Sequence, residues 1–308
     1  MGKLTWVLAL QCLLVAACAN RDSADLFAPE AGTIVVDAFL IVGEPLPSIA
    51  LTQTLAADVP YTFAQAALSG ALVVVTHELG AAVYAEATPP GTYVPHDGTV
   101  PLEVEAGALY TLDVTAADGR RVRATTRTPQ RFSVPEWLLL DATGTTVQRS
   151  LASFAEYGDG VFTQPENQLE YAQGLLEARF DPTGILGIQV GLFSRSAGSP
   201  LVIDPDLVDE EDLDRINSSP PFEPGDGKVR LPWFAIFFEG RYVLKVWTMD
   251  VNWFDLARTD PVLRGGGFGF GGQAGDDFER PIFHVEGGIG LFGSGAVDSV
   301  GVVVHPRP

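Results

Sequence analysis

The stretch LEVEAGALYTLDVTAADGRRVRATTRT, residues 102–128, alternates apolar and polar side chains almost without a break. Leu102, Val104, Tyr110, Leu112 and Val114 fall on one side of an extended chain, and Glu103, Glu105, Thr111, Asp113 and Thr115 on the other. Period two is the signature of a strand with one face in a core and one in water. Between the two runs Asp118-Gly119 is a strong hairpin signal, because a two-residue primed turn needs positive φ. Beyond it Arg121, Arg123, Thr125 and Arg127 alternate with Val122, Ala124 and Thr126. A β-hairpin is therefore expected here, with a row of arginines on its outer face.

Working outward, Val36, Ala38, Leu40 and Val42 repeat the pattern near the start of the chain. Gly107 three residues before Tyr110 matches the tyrosine corner of immunoglobulin-like sandwiches, in which the hydroxyl bonds nearby backbone. Pro129 and Pro135 bracket an expected junction near residue 130, since proline gives a ladder no donor and stiffens the chain. Further on, Leu175–Phe180 and Ile185–Phe193 flank Asp181-Pro182-Thr183-Gly184, which suggests a second hairpin, although Leu169, Ala172, Leu175 and Leu176 also satisfy helical spacing. Tyr242–Thr248 is apolar on both faces and is expected to lie centrally in a sheet. Asp250 fits the N-cap of a short helix that reaches Arg258 and stops before Pro261. Ile282–Val285, Ile289–Phe292 and Val297–Val304 would complete the β structure.

The expected fold is mainly β, with an immunoglobulin-like β-sandwich over 33–130 and a second β-rich sandwich or barrel-like domain over 131–308. Composition agrees. Of 308 residues 46% are hydrophobic and 19% charged, with 33 Gly and 22 Pro, too apolar for a disordered chain and too punctuated for a helical bundle. The net charge of −20 would repel phosphate backbones and excludes nucleic-acid binding. Basic residues are 16 Arg and 3 Lys against 39 acids, a surface suited to high salt.

Lys3 and the apolar run Leu4–Ala17 have the layout of a signal peptide over 1–17, and the run is too short to span a bilayer. Val15-Ala16-Ala17-Cys18 resembles the lipobox of bacterial lipoproteins, which makes Cys18 the expected lipidation site and 18–32 a flexible tether. Cys12 would leave with the signal, so no free thiol would remain for a disulfide, a metal or a nucleophile. Ala19 after the cysteine leans toward the outer membrane by the sorting logic of such lipoproteins.

Four features then resemble one family of uncharacterised Bacteroidota-type lipoproteins, domain of unknown function 4249. They are the Cys18 start, the Gly107-x-x-Tyr110-x-Leu112-x-Val114 strand with Asp118-Gly119 and the Thr126-x-Thr128-Pro129 exit, Phe180-Asp181-Pro182, and the closing run Gly287–Gly293. Departures are Ile185-Leu186-Gly187, where aromatic residues are expected, and the glycine-rich stretch 264–275. The resemblance implies a lipid-anchored outer-membrane protein that serves a TonB-dependent receptor in nutrient uptake as a non-enzymatic accessory. The competing reading is a glycan- or peptide-binding, or hydrolytic, surface lipoprotein.

No catalytic motif stands out. Residues 204–226 hold nine acids (Asp204, Asp206, Asp209, Glu210, Glu211, Asp212, Asp214, Glu223, Asp226) and one base, Arg215, without the spacing of a helix-loop-helix calcium loop, and read as a solvated loop. Gly265–Gly272 lacks the strand, helix and Lys-Ser or Lys-Thr of a phosphate loop. His77, His96, His284 and His305 have no zinc-like spacing. Ser294 lies in Gly-Ser-Gly without a nucleophile elbow and is expected in a turn. Trp233, Trp247 and Trp253 could stack on a sugar but are more simply core. No cofactor, metal ligand or catalytic residue is expected.

Overall fold

The computed structural model describes residues 31–96, 103–203, 215–231, 233–259 and 281–307. The first half holds seven strands: β1 (Ile34–Ile41), β2 (Ile49–Gln53), β3 (Leu72–His77), β4 (Gly80–Glu86), β5 (Thr92–Pro95), β6 (Leu109–Thr115) and β7 (Arg121–Arg127). A one-turn helix, α1 (Phe63–Ala66), lies between β2 and β3. The second half adds β8 (Glu136–Leu140), β9 (Val147–Ser150), β10 (Gln168–Glu170), β11 (Leu175–Arg179), β12 (Gly187–Ser194), β13 (Ile216–Ser218), β14 (Lys228–Leu231) and β15 (Gly240–Met249). Helices α2 (Phe154–Tyr157) and α3 (Val251–Thr259) follow β9 and β15, and the chain closes with β16 (Val285–Glu286) and β17 (Gly288–His305). The molecule is mainly β, as its alternation implies.

The strands form a 13-stranded and a 4-stranded sheet. In the larger one, β1 to β7 curl round a single core built from their inward residues, among them Val36, Leu51, Val73, Tyr93, Tyr110, Leu112 and Val122. The far end of the chain shuts this unit. Glu286 pairs with Arg123 of β7, and two residues later Gly288 pairs with Ile34 of β1, so 285–295 bridges the two ends of the curl. Phe292 enters the same core. Gly290 permits the approach, because its φ is +104° and any Cβ there would collide with the Val36 carbonyl oxygen.

Past Gly295 the same strand pairs with β15 instead, and β12 and β13 extend the sheet. The smaller sheet, in the order β14-β11-β8-β9, packs on that part. Trp137, Leu176, Leu231, Val190, Leu244 and Val302 fill the layer between them, a two-sheet sandwich with its own core. Strand β15 lies between β12 and β17, as its two apolar faces require.

Three expectations need correction. Residues 175–193 are not a hairpin: the turn at Pro182–Ile185 forms, but β11 pairs with β8 and β14 in one sheet while β12 pairs with β13 and β15 in the other. A sandwich buries both strands better on opposite sides of the core than side by side. The 289–292 and 297–304 segments are one 18-residue strand. The hairpin joining β6 and β7 is present, with Thr115 opposite Arg121, but its loop is Ala117-Asp118-Gly119: Gly119 N–H donates to Ala116 O, and only Gly119 has positive φ. That is a three-residue loop with a glycine bulge, not a two-residue primed turn.

Candidate functional site

Strict alternation gives the first unit an outer face whose rows can be read across the strands. In one row Val83, Val74, Asp113, Arg123 and Glu286 stand side by side on β4, β3, β6, β7 and β16. Neighbouring rows place Val94 beside Ala85, and Leu109 beside Arg127. Val83, Val94 and Leu109 are exposed. The face thus changes from aliphatic on β3 to β5 to arginine-rich on β7. Arg123 stands 3.8 Å from Asp113, and Arg127 donates to Gly107 O at 3.0 Å. A shallow depression of about 370 Å³ lies beside Asp113, Arg121, Arg123 and Glu286 where β7 meets the closing segment. Exposed aliphatic side chains flanked by arginines are what protein interfaces favour.

Beneath this face lies a buried polar junction that sequence reasoning did not find. Thr126 Oγ1 is 2.6 Å from both Asp250 Oδ2 and Ser294 Oγ, joining β7, the start of α3 and β17. Asp250 Oδ1 accepts from Trp253 N–H at 2.9 Å, the N-cap that the sequence implies for α3. Asn252 Nδ2 donates to Thr125 O at 2.6 Å and to Phe292 O at 2.8 Å, tying the same two strands together. Burial pushes the Asp250 carboxyl above the usual range, with the Thr126 hydroxyl and backbone N–H groups opposing it. Ser294 is fully buried in the middle of β17, opposite Leu40, and not in a turn. The junction holds elements together and is closed to substrate. Its members lie 124 and 168 residues apart, so no local pattern announces them.

The other candidates are scattered. His77 is buried, stacks on Tyr110 with centroids 4.6 Å apart and lies 3.6 Å from Glu105. Tyr110 accepts from Glu105 N–H at 2.8 Å, the backbone bond expected of that tyrosine. His284 is 2.8 Å from Asp255; burial of Asp255 is outweighed by His284 and Arg258, which hold its carboxyl below the usual range. His305 meets Gln168 at 3.0 Å. Among the described residues no three His, Cys, Asp or Glu side chains converge on a point that could hold a metal.

The tryptophans do not share a cleft. Trp233 donates its indole N–H to Gly174 O inside the second core, Trp253 packs edge-on against Phe39 at 5.0 Å, and Trp247 meets Phe193 at 5.6 Å near Lys245. Arg215 sits over Phe238, and Asp226 pairs with Lys228 at 2.7 Å. Asp204 to Asp214, the glycine-rich stretch 264–275, the signal 1–17, Cys18 and most of the tether lie outside the described residues. No helix among the described residues is long and apolar enough to cross a membrane.

A family model described as Domain of unknown function (DUF4249) matches residues 22–158. No curated protein matches the chain. Among solved structures, similarity extends to a cryo-EM reconstruction of native E. coli alpha-2-macroglobulin at 9% identity, covering 91% of this chain and 25% of that one with a TM-score of 0.19. The chain therefore spans a quarter of that protein, and so low a score carries no argument.

Proposed function

We propose, for a chain whose residues 22–158 match the DUF4249 family model, that it is a lipid-anchored outer-membrane protein acting as a non-enzymatic accessory of a TonB-dependent receptor in nutrient uptake. Cys18, at the end of a signal-like run, is the attachment point. The observation that carries the binding role is the outer face of β3 to β7, where Val83, Val94 and Leu109 are exposed beside Arg123 and Arg127 in a chain of net charge −20. Such a face favours a protein partner with apolar and acidic groups at its surface. The receptor as partner comes from the family resemblance.

The test is a detergent pull-down from native membranes followed by mass spectrometry. Wild type is expected to recover a receptor, and the double variant Val83→Asp with Arg123→Glu, both on an exposed sheet face, is expected to fold and lose it. Recovery of no receptor by the wild type would overturn the proposal, and equal recovery by both proteins would remove this face from it.

A further inference from the structure

We infer that the end of the first unit where the tether joins is a membrane-contact surface, on which Val59, Tyr61, Leu72 and Arg121 meet the headgroup layer of an anionic bilayer. This rests on the lipid attachment proposed at Cys18. The join itself is well defined: Gly32 N–H donates to Thr54 O at 2.8 Å, and Gly32 O accepts from the Arg120 guanidinium in the hairpin between β6 and β7. Arg120 also bonds Gln53 Oε1 at the end of β2 and pairs with Asp118 at 2.6 Å. The incoming chain, the end of β2 and the tip of that hairpin thus meet at one end of the unit.

The same end presents its apolar side chains to water. The loop that leaves β2 after Thr54 runs through Ala56, Ala57, Asp58, Val59 and Pro60 to Tyr61, all exposed, before Thr62 caps α1 by accepting from Gln65 N–H at 3.2 Å. Tyr61 is 68% exposed and Leu72, the first residue of β3, 57%. Leu72 stands opposite Thr115, which stands opposite Arg121, so the aliphatic and the guanidinium group lie in one row at the hairpin end. Of the acids there, Asp118 is paired with Arg120, and Glu86 is turned to the Gly70 and Gly91 N–H groups, which hold its carboxyl below the usual range. Asp58 is the acid of the loop itself.

Two constraints select lipid as the occupant. The stretch from Cys18 to Gly32 is fifteen residues, and a chain of that length has a mean reach of about 20 Å, comparable to the length of β7. An acylated Cys18 therefore keeps this end of the unit nearest the bilayer. Charge permits the same approach, because a body of net charge −20 is repelled by an anionic surface, whereas this end, with Arg120 and Arg121 against Asp58, Glu86 and Asp118, is close to neutral. A tyrosine with an apolar ring and a polar tip, flanked by valine, leucine and arginine, suits the interface between headgroups and acyl chains.

The test replaces the acylated cysteine with an N-terminal polyhistidine tag and holds the mature chain on vesicles containing nickel-chelating lipid and about 30 mol% phosphatidylglycerol. A single fluorophore is placed at Tyr61→Cys, or at Thr183→Cys in the turn between β11 and β12. Headgroup spin-labelled lipid is expected to quench the label at 61 about threefold more than at 183. Equal quenching at the two sites would overturn the inference. So would a label at 61 that is shielded only when a receptor is added, since the end would then face protein and not lipid. Leu72→Ser with Arg121→Glu, both at exposed positions, is expected to abolish the difference between the sites, and its persistence would also count against the assignment. Mass spectrometry of the N-terminal peptide from native membranes examines acylation of Cys18 separately, so a failure of the anchor and a failure of the surface give different results.

Discussion

Replacing Phe292 by alanine tests whether the last strand closes the first unit. Phe292 is 1% exposed, opposite Ala38 in β1, and packs with residues between Ile34 and Ala124. Removing a buried aromatic ring typically costs about 3–5 kcal/mol, because the transfer term and the cavity term add. With a urea slope of about 3 kcal/mol/M, the midpoint should fall by roughly 1–1.7 M. Amide exchange shows where the loss acts: protection at Val73–Val75 and Leu112–Val114 should drop, though both segments lie more than 170 residues away in sequence. Phe292→Leu, which keeps most of the volume, should cost less than about 1.5 kcal/mol. If Phe292→Ala lowered protection only in β12 and β15 and left β3 and β6 untouched, the closing role given to 285–295 would be wrong.

Asp250→Asn should change the pH response more than the fold. The native carboxyl is raised, so its folded form holds a proton more tightly than the unfolded chain does, and the stability it contributes at low pH is lost as pH climbs from about 4 toward the folded value. The melting temperature of the variant relative to wild type should therefore rise across that window; a difference that stays flat from acid to neutral pH would contradict the junction as described. Tyr93→Phe removes a hydroxyl that donates to Leu68 O at 2.7 Å and accepts from Ala71 N–H at 3.0 Å, and urea titration should show a loss of about 1–3 kcal/mol. Gly301→Ala would place a Cβ 2.6 Å from Val161 Cγ2 and 2.9 Å from the Phe162 ring, so overpacking should cost about 1–3 kcal/mol by the same titration.

The elements legible in the sequence are those whose partners are close along the chain or whose burial is complete. Leu109–Thr115 and Arg121–Arg127 pair with each other across a short loop, so alternation and Asp118-Gly119 carry all the information needed. Tyr242–Thr248 advertises its central place by being apolar on both faces, and Asp250 caps α3 through a bond to a residue only three positions on. The misreadings share the opposite property. Residues 175–193 look like a hairpin because a turn separates two apolar runs, yet a sandwich decides strand partners through contacts that the turn does not see. Ser294 looks like a turn residue because glycines flank it, but those glycines are small so that the Trp253 side chain can pack against β17. The arginine row on β7 was visible; the aliphatic residues that share its face became apparent only from the cross-strand register. Cys18, the acids from Asp204 to Asp214 and the glycine-rich stretch lie outside the described residues.

The closing strand has a consequence for biogenesis. A ribosome releases β7 long before Phe292, and at about 5–20 residues per second the intervening stretch takes roughly 10–30 s to make. Throughout that interval the first unit has most of its strands but neither its seal nor its final core ring, so it cannot lock early. For a chain proposed to be exported and then acylated, this delay is useful, because a polypeptide that stays open until residues 285–295 have been made remains threadable through a narrow channel. Residues 285–295 thus set when the unit formed by β1 to β7 can close.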